Sequence, residues 1–510
     1  MALLLGPVLD FRGCDGDVWR VSVLVVATGA AAPKLSVTQP GKSGALPKKP
    51  LKAIAFDGNS AALWRFDIHT PQSATAQTVA YAVDGVQAQF NVPAKNAAPR
   101  IAYGSCNGFS SMKLLKDTND ANALWKDVRA KHEAAPYDLM LLGGDQVYSD
   151  SMWEELPELQ AWAQLPIEDR ASQEATPTLK SAIDRFYCEL YIKRWSQPEP
   201  AAMLARIPSI MMWDDHDIID GWGSYEDVLQ VCDVYQTLFS AAREYFSLYQ
   251  LHTDPADTHP LSLTGQQHFT LGCRIGPVTI LALDMRSERS DDQVISLESW
   301  RAIYTWLEAL PARGNNDRVD HLLLMSSIPV VHPDFALLEQ ALGLFPGSQE
   351  LEDDLRDHWT SVPHRQERLR LIHRLLDLSV QKKSRVTLLS GDVHVGAVGV
   401  VRSDRTDKSD TGTRVLNQLT SSGIVHPAPP GMVLFFLENF VGKSLSDDRG
   451  IESEMIELPG TRHHYIGARN WLALEPTDDG RYWANWHVEN EPHPFTKVIH
   501  PVDFKLGDPS

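Results

Sequence analysis

Leu139-Met-Leu-Leu-Gly-Gly-Asp145-Gln-Val-Tyr148 joins four apolar residues to two glycines, an acid and a phenol. With Pro136 just before it, the apolar run reads as a short buried strand. The glycines make a sharp turn that presents Asp145 and Tyr148 at its carboxyl end. Four further apolar runs end in the same manner. Ile210-Met-Met-Trp213 runs into Asp-Asp-His-Asp, Val278-Thr-Ile-Leu-Ala-Leu283 into Asp-Met-Arg, Arg385-Val-Thr-Leu-Leu-Ser390 into Gly-Asp-Val-His, and Pro99-Arg-Ile-Ala-Tyr103 into Gly-Ser-Cys. Ligands of α/β sheets bind beyond the carboxyl ends of strands. Five such ends carrying carboxylate, thiol, phenol and imidazole point to a metal centre built by a whole sheet.

Working outward, the segment after Arg100 alternates apolar runs with helical stretches, the signature of βαβ units. Helices are expected over 119–135, 177–195, 225–251, 297–310 and 364–378. Residues 1–95 look all-β, with alternating runs such as Val18-Trp-Arg-Val-Ser-Val-Leu-Val, and predict a small N-terminal β-sandwich domain joined through Asn96-Ala-Ala-Pro99 to a second domain over 96–510. Insertions near 150–205 and 333–365 are expected to wall the site. Trp471-Leu-Ala-Leu and Arg481-Tyr-Trp-Ala-Asn-Trp-His-Val are expected to add antiparallel strands that complete a second sheet.

The 510 residues exceed one ordinary core. Lys plus Arg number 47 against 66 Asp plus Glu, a net charge of −19 that disfavours duplex nucleic acid as partner. A small anionic substrate remains compatible, because bound cations outweigh distant surface carboxylates. Five widely spaced cysteines without a CxxC pair indicate neither a disulfide framework nor a zinc ribbon. Together with an N-terminus that lacks a basic leader, they predict a reducing, cytoplasmic setting. No uncharged apolar run of membrane-spanning length exists, so no membrane span is expected.

Gly104-Ser-Cys106, Gly144-Asp-Gln-Val-Tyr148, Trp213-Asp-Asp-His-Asp217, Asp284-Met-Arg286 and Ser390-Gly-Asp-Val-His394 occur in an order that resembles the metallophosphoesterase superfamily, and within it the PhoD-like alkaline phosphatase/phosphodiesterase family. The resemblance spans roughly residues 100 to 400. It implies a four-layer αββα sandwich and a dinuclear centre of Fe3+ with Ca2+, for which Mg2+, Mn2+ or Zn2+ are alternatives. Two cations would share a bridging hydroxide that attacks a small phosphate ester.

The same resemblance assigns the residues. Asp145 would bridge the metals, while Cys106, Tyr148 and His394 would hold iron. Asp215 and Asp392, with Asp214 as a weaker candidate, would hold the second ion. Asp392 stands where most of the superfamily has histidine, and this oxygen ligand favours a harder ion. His216 would face the scissile phosphate with Asp217 orienting its ring, and Arg286 would clamp the phosphate through its planar fork. One further histidine, expected among His332, His426, His463 and His464, would complete the second metal's shell. A generic Zn/Mn phosphatase, or a catalytically silent binding protein retaining the fold, are the competing readings.

Overall fold

A computed structural model describes residues 2–502, apart from residues 30, 39–40, 45–46, 48, 267, 291, 313–318, 332–358, 360–363, 404–411 and 440–441. Its frame is a pair of large mixed sheets, one of 11 and one of 9 strands among the described residues, with a small three-stranded sheet beside them. At the centre of the larger sheet, Ile101–Gly104, Leu139–Gly143 and Ser209–Met212 run parallel. In the other, Val278–Ala282, His321–Met325, Arg385–Ser390 and Val415–Thr420 run parallel.

These strands are buried on both faces, which is why they read as unbroken apolar runs. In the second sheet, successive side chains alternate between two cores. Ile280, Leu323, Met325 and Leu389 point toward the core shared with Leu139, Leu141 and Ile210. Leu281, Leu322, Leu324, Val386 and Leu388 point the other way, onto Trp300, Ile303 and Leu307 of the helix Leu297–Ala309 and Leu371 and Leu375 of Arg365–Lys382. The first sheet's carboxyl-terminal loops therefore meet those of the second.

Most expected helices form: Ala123–Ala134, Pro177–Trp195, Leu297–Ala309 and Arg365–Lys382. The stretch 225–251 divides into Asp227–Gln230 and Asp233–Tyr249, the second opening at Cys232. The 150–205 insertion is a run of helices from Met152 to Leu204. Nearly all of 333–365 lies outside the described residues. No helix among the described residues is long and apolar enough to cross a membrane.

Two expectations about sheet membership are corrected. Residues 1–95 do not form a free-standing sandwich: Leu3–Asp15, Val18–Thr28 and Asn59–Pro71 extend the larger sheet, with Asp10 opposite Ser209. Among the described residues of this stretch, only Leu35–Val37, Gln77–Val83 and Val86–Val92 form a separate sheet. Likewise Asn470–Pro476 and Tyr482–Val488 extend the larger sheet beside Ile101–Gly104, and the second sheet is completed instead by Ile451–Ile456 and Ser444–Asp448. Alternation shows that a segment is a strand; it carries no information about which edge that strand joins.

Where the first strand meets the sheet, a polar network is buried. Asp10 accepts from Arg12 and Ser22, each at 3.2 Å, and lies 3.2 Å from His259 Nε2, while Ser22 Oγ is 2.9 Å from His252 Nδ1. Burial pushes the His252 imidazole down to about 3.

Candidate metal centre

Three of the five expected strand ends deliver their side chains through turns that L-residues resist. Cys106, Asp145, Asp392 and His394 all have left-handed backbones, with φ of 55°, 54°, 67° and 53°. Such conformations cost energy and persist only where neighbours enforce them. The enforcing bonds are visible. Cys106 N donates to Gly144 O and Asn107 N to Asp145 O, tying the first two loops together. Ile424 N donates to Ser105 O and His426 N to Cys106 O, bringing in a third loop. Arg194, from the 150–205 insertion, donates from Nε to Asn107 O at 2.7 Å.

Asp145, Asp214 and Asp215 are buried and place ligand oxygens within 4.8 Å of one another. Burial, then the neighbouring Asp214, pushes the Asp145 carboxyl well up from its ordinary range. Asp145 Oδ1 has no hydrogen-bond partner among the described residues. Three buried acids around one point, one of them with an orphaned oxygen, fit a cation. Cys106 Sγ lies 3.4 Å from Asp145 Oδ2, and burial followed by that carboxylate raises its thiol. Asp392, half-buried, lies close enough for its charge to raise the thiol further. On the same side four rings are stacked in a row: His216 on Tyr148 with centroids 4.3 Å apart, Tyr148 on His426 at 5.6 Å and His426 on His394 at 3.7 Å. Burial and the neighbouring His426 hold His394 well below the usual imidazole range, so it is a neutral donor. The Cys106 thiol and the carboxylates of Asp214 and Asp215 thus lie close to Asp145, and the stacked rings bring Tyr148 and His394 into one row with His216.

The family model described as PhoD related phosphatase matches residues 77–345 and 335–453 of this chain. The chain belongs to the PhoD-related phosphatase family. It is 31% identical over 517 residues to the uncharacterized protein YGR266W of Saccharomyces cerevisiae, a match that covers 84% of this chain and 72% of the yeast protein. A solved structure of PhoD superposes with a TM-score of 0.58 at 12% identity, covering 97% of this chain and 90% of PhoD, and so shares the fold.

Within this PhoD-related frame, two expected roles move. The carboxylate beside His216 is not Asp217 but Asp150, whose Oδ2 lies 2.7 Å from His216 Nδ1. Asp217 instead accepts from the backbone N–H groups of Asp145, Gln146, Val147 and Asp214 and from Gln250 Nε2. It organises the turn that carries Asp145, and burial pushes its carboxyl up to about 7. Arg286 is fully buried, donating from Nε to Asp214 Oδ1 and from Nη1 to Trp222 O, with Nη2 3.5 Å from Asp215 Oδ1. Its fork is therefore spent on the acids and a carbonyl, where a clamp facing the phosphate was expected. Asp284 accepts from Trp213 Nε1, Phe269 N, Arg286 N and Ser287 N, which fixes that loop.

Of the unplaced histidines, His426 joins the site, whereas His463 is exposed and His464 pairs with Glu438 at 2.7 Å. His332 lies outside the described residues. Sequence reasoning missed Asp150, Ser327 and Ser422. Asp150 follows Tyr148 by two residues, and its polarity beside an otherwise buried turn was the available signal. Ser327 donates to Asp214 Oδ1 at 2.9 Å and belongs to no motif.

Proposed function

We propose that this PhoD-related protein is a metal-dependent phosphoric ester hydrolase, a phosphodiesterase with weaker monoesterase activity, built on a four-layer αββα core to which the N-terminal strands contribute. The observation that carries this reading is the buried triad Asp145, Asp214 and Asp215 beside the stacked row His216, Tyr148, His426 and His394. Cys106, Tyr148 and His394 with Asp145 suit Fe3+. Asp214 and Asp215 with Asp145, and Asp392 nearby, suit a hard divalent ion such as Ca2+. When bound, such cations neutralise phosphate charge and activate water. A thiolate also suits zinc, but a zinc or manganese pair has no comparable need of the phenol, so the generic metallophosphatase reading fits this donor set less well.

The chain's own residues divide the remaining work. Asp150 takes the Nδ1 proton of His216 in a hydrogen bond, which leaves Nε2 to serve the leaving oxygen. Burial alone would push His216 down, but Asp150, Asp215 and Asp220 outweigh it and hold the imidazole well above its ordinary value. A ring so held can donate a proton to the departing oxygen. Arg286 balances Asp214 and Asp215 from behind. Asp217 holds the Asp145 turn in its left-handed shape.

The test compares kcat/KM on bis-p-nitrophenyl phosphate and p-nitrophenyl phosphate with protein reconstituted in iron and calcium, alongside elemental analysis. The ratio reports differential transition-state binding. Faster diester hydrolysis, abolished by chelation, is expected together with little cleavage of duplex DNA. A strong monoester preference would reject the diesterase assignment, and a colourless active protein containing only zinc would reject the metals.

A further inference from the structure

Ser422 lies two residues beyond the strand Val415–Thr420, outside every motif that marked the site, and is fully buried. Its backbone is fixed by Asn470, which donates from Nδ2 to Ser422 O at 3.0 Å. Its hydroxyl has two neighbours: the backbone nitrogen of His394 at 2.9 Å and Sγ of Cys106 at 3.0 Å. An amide N–H only donates, so Ser422 Oγ accepts there, and its one proton is left for the sulfur. The other serine at this sulfur behaves differently. Ser105 Oγ is 3.5 Å from Sγ but spends its proton on Ser421 O at 3.1 Å. The thiol itself is placed to donate to Asp145 Oδ2 at 3.4 Å or to Ser105 Oγ at 3.5 Å.

We propose that Ser422 is a positioning residue that donates a hydrogen bond to the thiolate of Cys106 while pinning the backbone of His394, so that one hydroxyl couples two ligands of the same metal. This rests on the reading of Cys106 as a metal ligand. A thiolate that accepts a hydrogen bond gives up less electron density, and such bonds to sulfur are an established means of tuning a centre. The pinned amide belongs to a residue with φ of 53°, so the same hydroxyl helps to hold a strained ligand turn.

Cobalt(II) reports on the bond without relying on turnover, because a sulfur-to-cobalt charge-transfer band exists only if Cys106 is a ligand. Wild-type protein loaded with Co2+ should show the band, and Cys106→Ser should lack it. Ser422→Ala should bind cobalt about 10- to 100-fold more weakly, as for loss of other outer partners of a metal ligand. Its band should move to lower energy, and Ser422→Thr should restore the wild-type position. In wild type the cobalt–sulfur stretch should shift in D2O. An unmoved band in Ser422→Ala overturns the role of Ser422 alone. Absence of the band in wild type overturns the reading of Cys106, and this inference with it. Should Ser422→Ala fail to fold, the D2O measurement on wild type decides: a shifted stretch supports the bond and an unshifted one refutes it.

Discussion

Replacing Asp150 by Asn removes a charge from behind His216 and leaves the shape almost unchanged. The Nδ1 to Oδ2 distance is 2.7 Å, and both side chains are 9% exposed. At an effective dielectric constant of roughly 20, two unit charges at that separation attract by about 6 kcal/mol. Most of this is offset by desolvation and by the hydrogen bond that the Asn oxygen still accepts. What remains is the increment of a charge-assisted over a neutral bond, on the order of 1–1.5 kcal/mol. If His216 acts as the protonated group in the transition state, kcat should fall about 5- to 15-fold, with KM and metal content little changed. The pH profile adds an independent sign. His216 is held above its ordinary value largely by Asp150 among the opposing carboxylates, so the protonated ring survives to high pH in wild type and less far in the variant. The alkaline limb of kcat should therefore move to lower pH in Asp150→Asn. A kcat within twofold of wild type for Asp150→Ala, with an unmoved alkaline limb, would refute the dyad.

Three further outcomes follow from the geometry. Asp145→Asn should abolish phosphoester hydrolysis and lower bound metal by elemental analysis, since it removes the acid shared by both halves of the site. Acidification should cost stability through His252, which stays neutral in the fold down to about pH 3 but takes up a proton near its ordinary 6.5 when unfolded. The contribution is complete above pH 6.5 and shrinks as pH falls toward 3, amounting to about 2 kcal/mol between pH 7 and pH 5. Urea midpoints measured across that range test it, and a His252→Gln variant should show a flatter acid branch. Gly143→Ala would place a Cβ 2.1 Å from the Tyr103 hydroxyl and should destabilise the protein by about 1–3 kcal/mol, read from the denaturation midpoint.

The strand ends were legible in the sequence because a parallel strand buried on both faces writes itself as an apolar run with a polar stop. That property marks Asp145, Asp214, Asp215 and His394 as side chains that follow strand ends. The partner of His216 was not legible in the same way. Asp150 reaches the ring only because Ser149 N bonds to His216 O, a contact between loops 67 residues apart in the chain. The posture of Arg286 was likewise hidden, since Asp-x-Arg at a strand end fixes where the side chain starts and not whether it turns inward to the acids or outward to a ligand. His426 lacked a motif altogether; it is recruited by its backbone bond to Cys106 O and by stacking.

The larger sheet mixes distant parts of the chain, and this sets the order in which the protein can be made. Ile101–Gly104, the strand whose following loop carries Cys106, has Leu139–Gly143 on one side and Asn470–Pro476 on the other. During synthesis its second flank therefore stays an unpaired edge until the last strands emerge, and unpaired edges invite wrong partners. Leu3–Asp15 waits in turn for Ser209. Shortening this chain before Asn470 would thus leave the first candidate metal ligand on an open seam, and chaperone demand should rise with any delay in delivering that final segment.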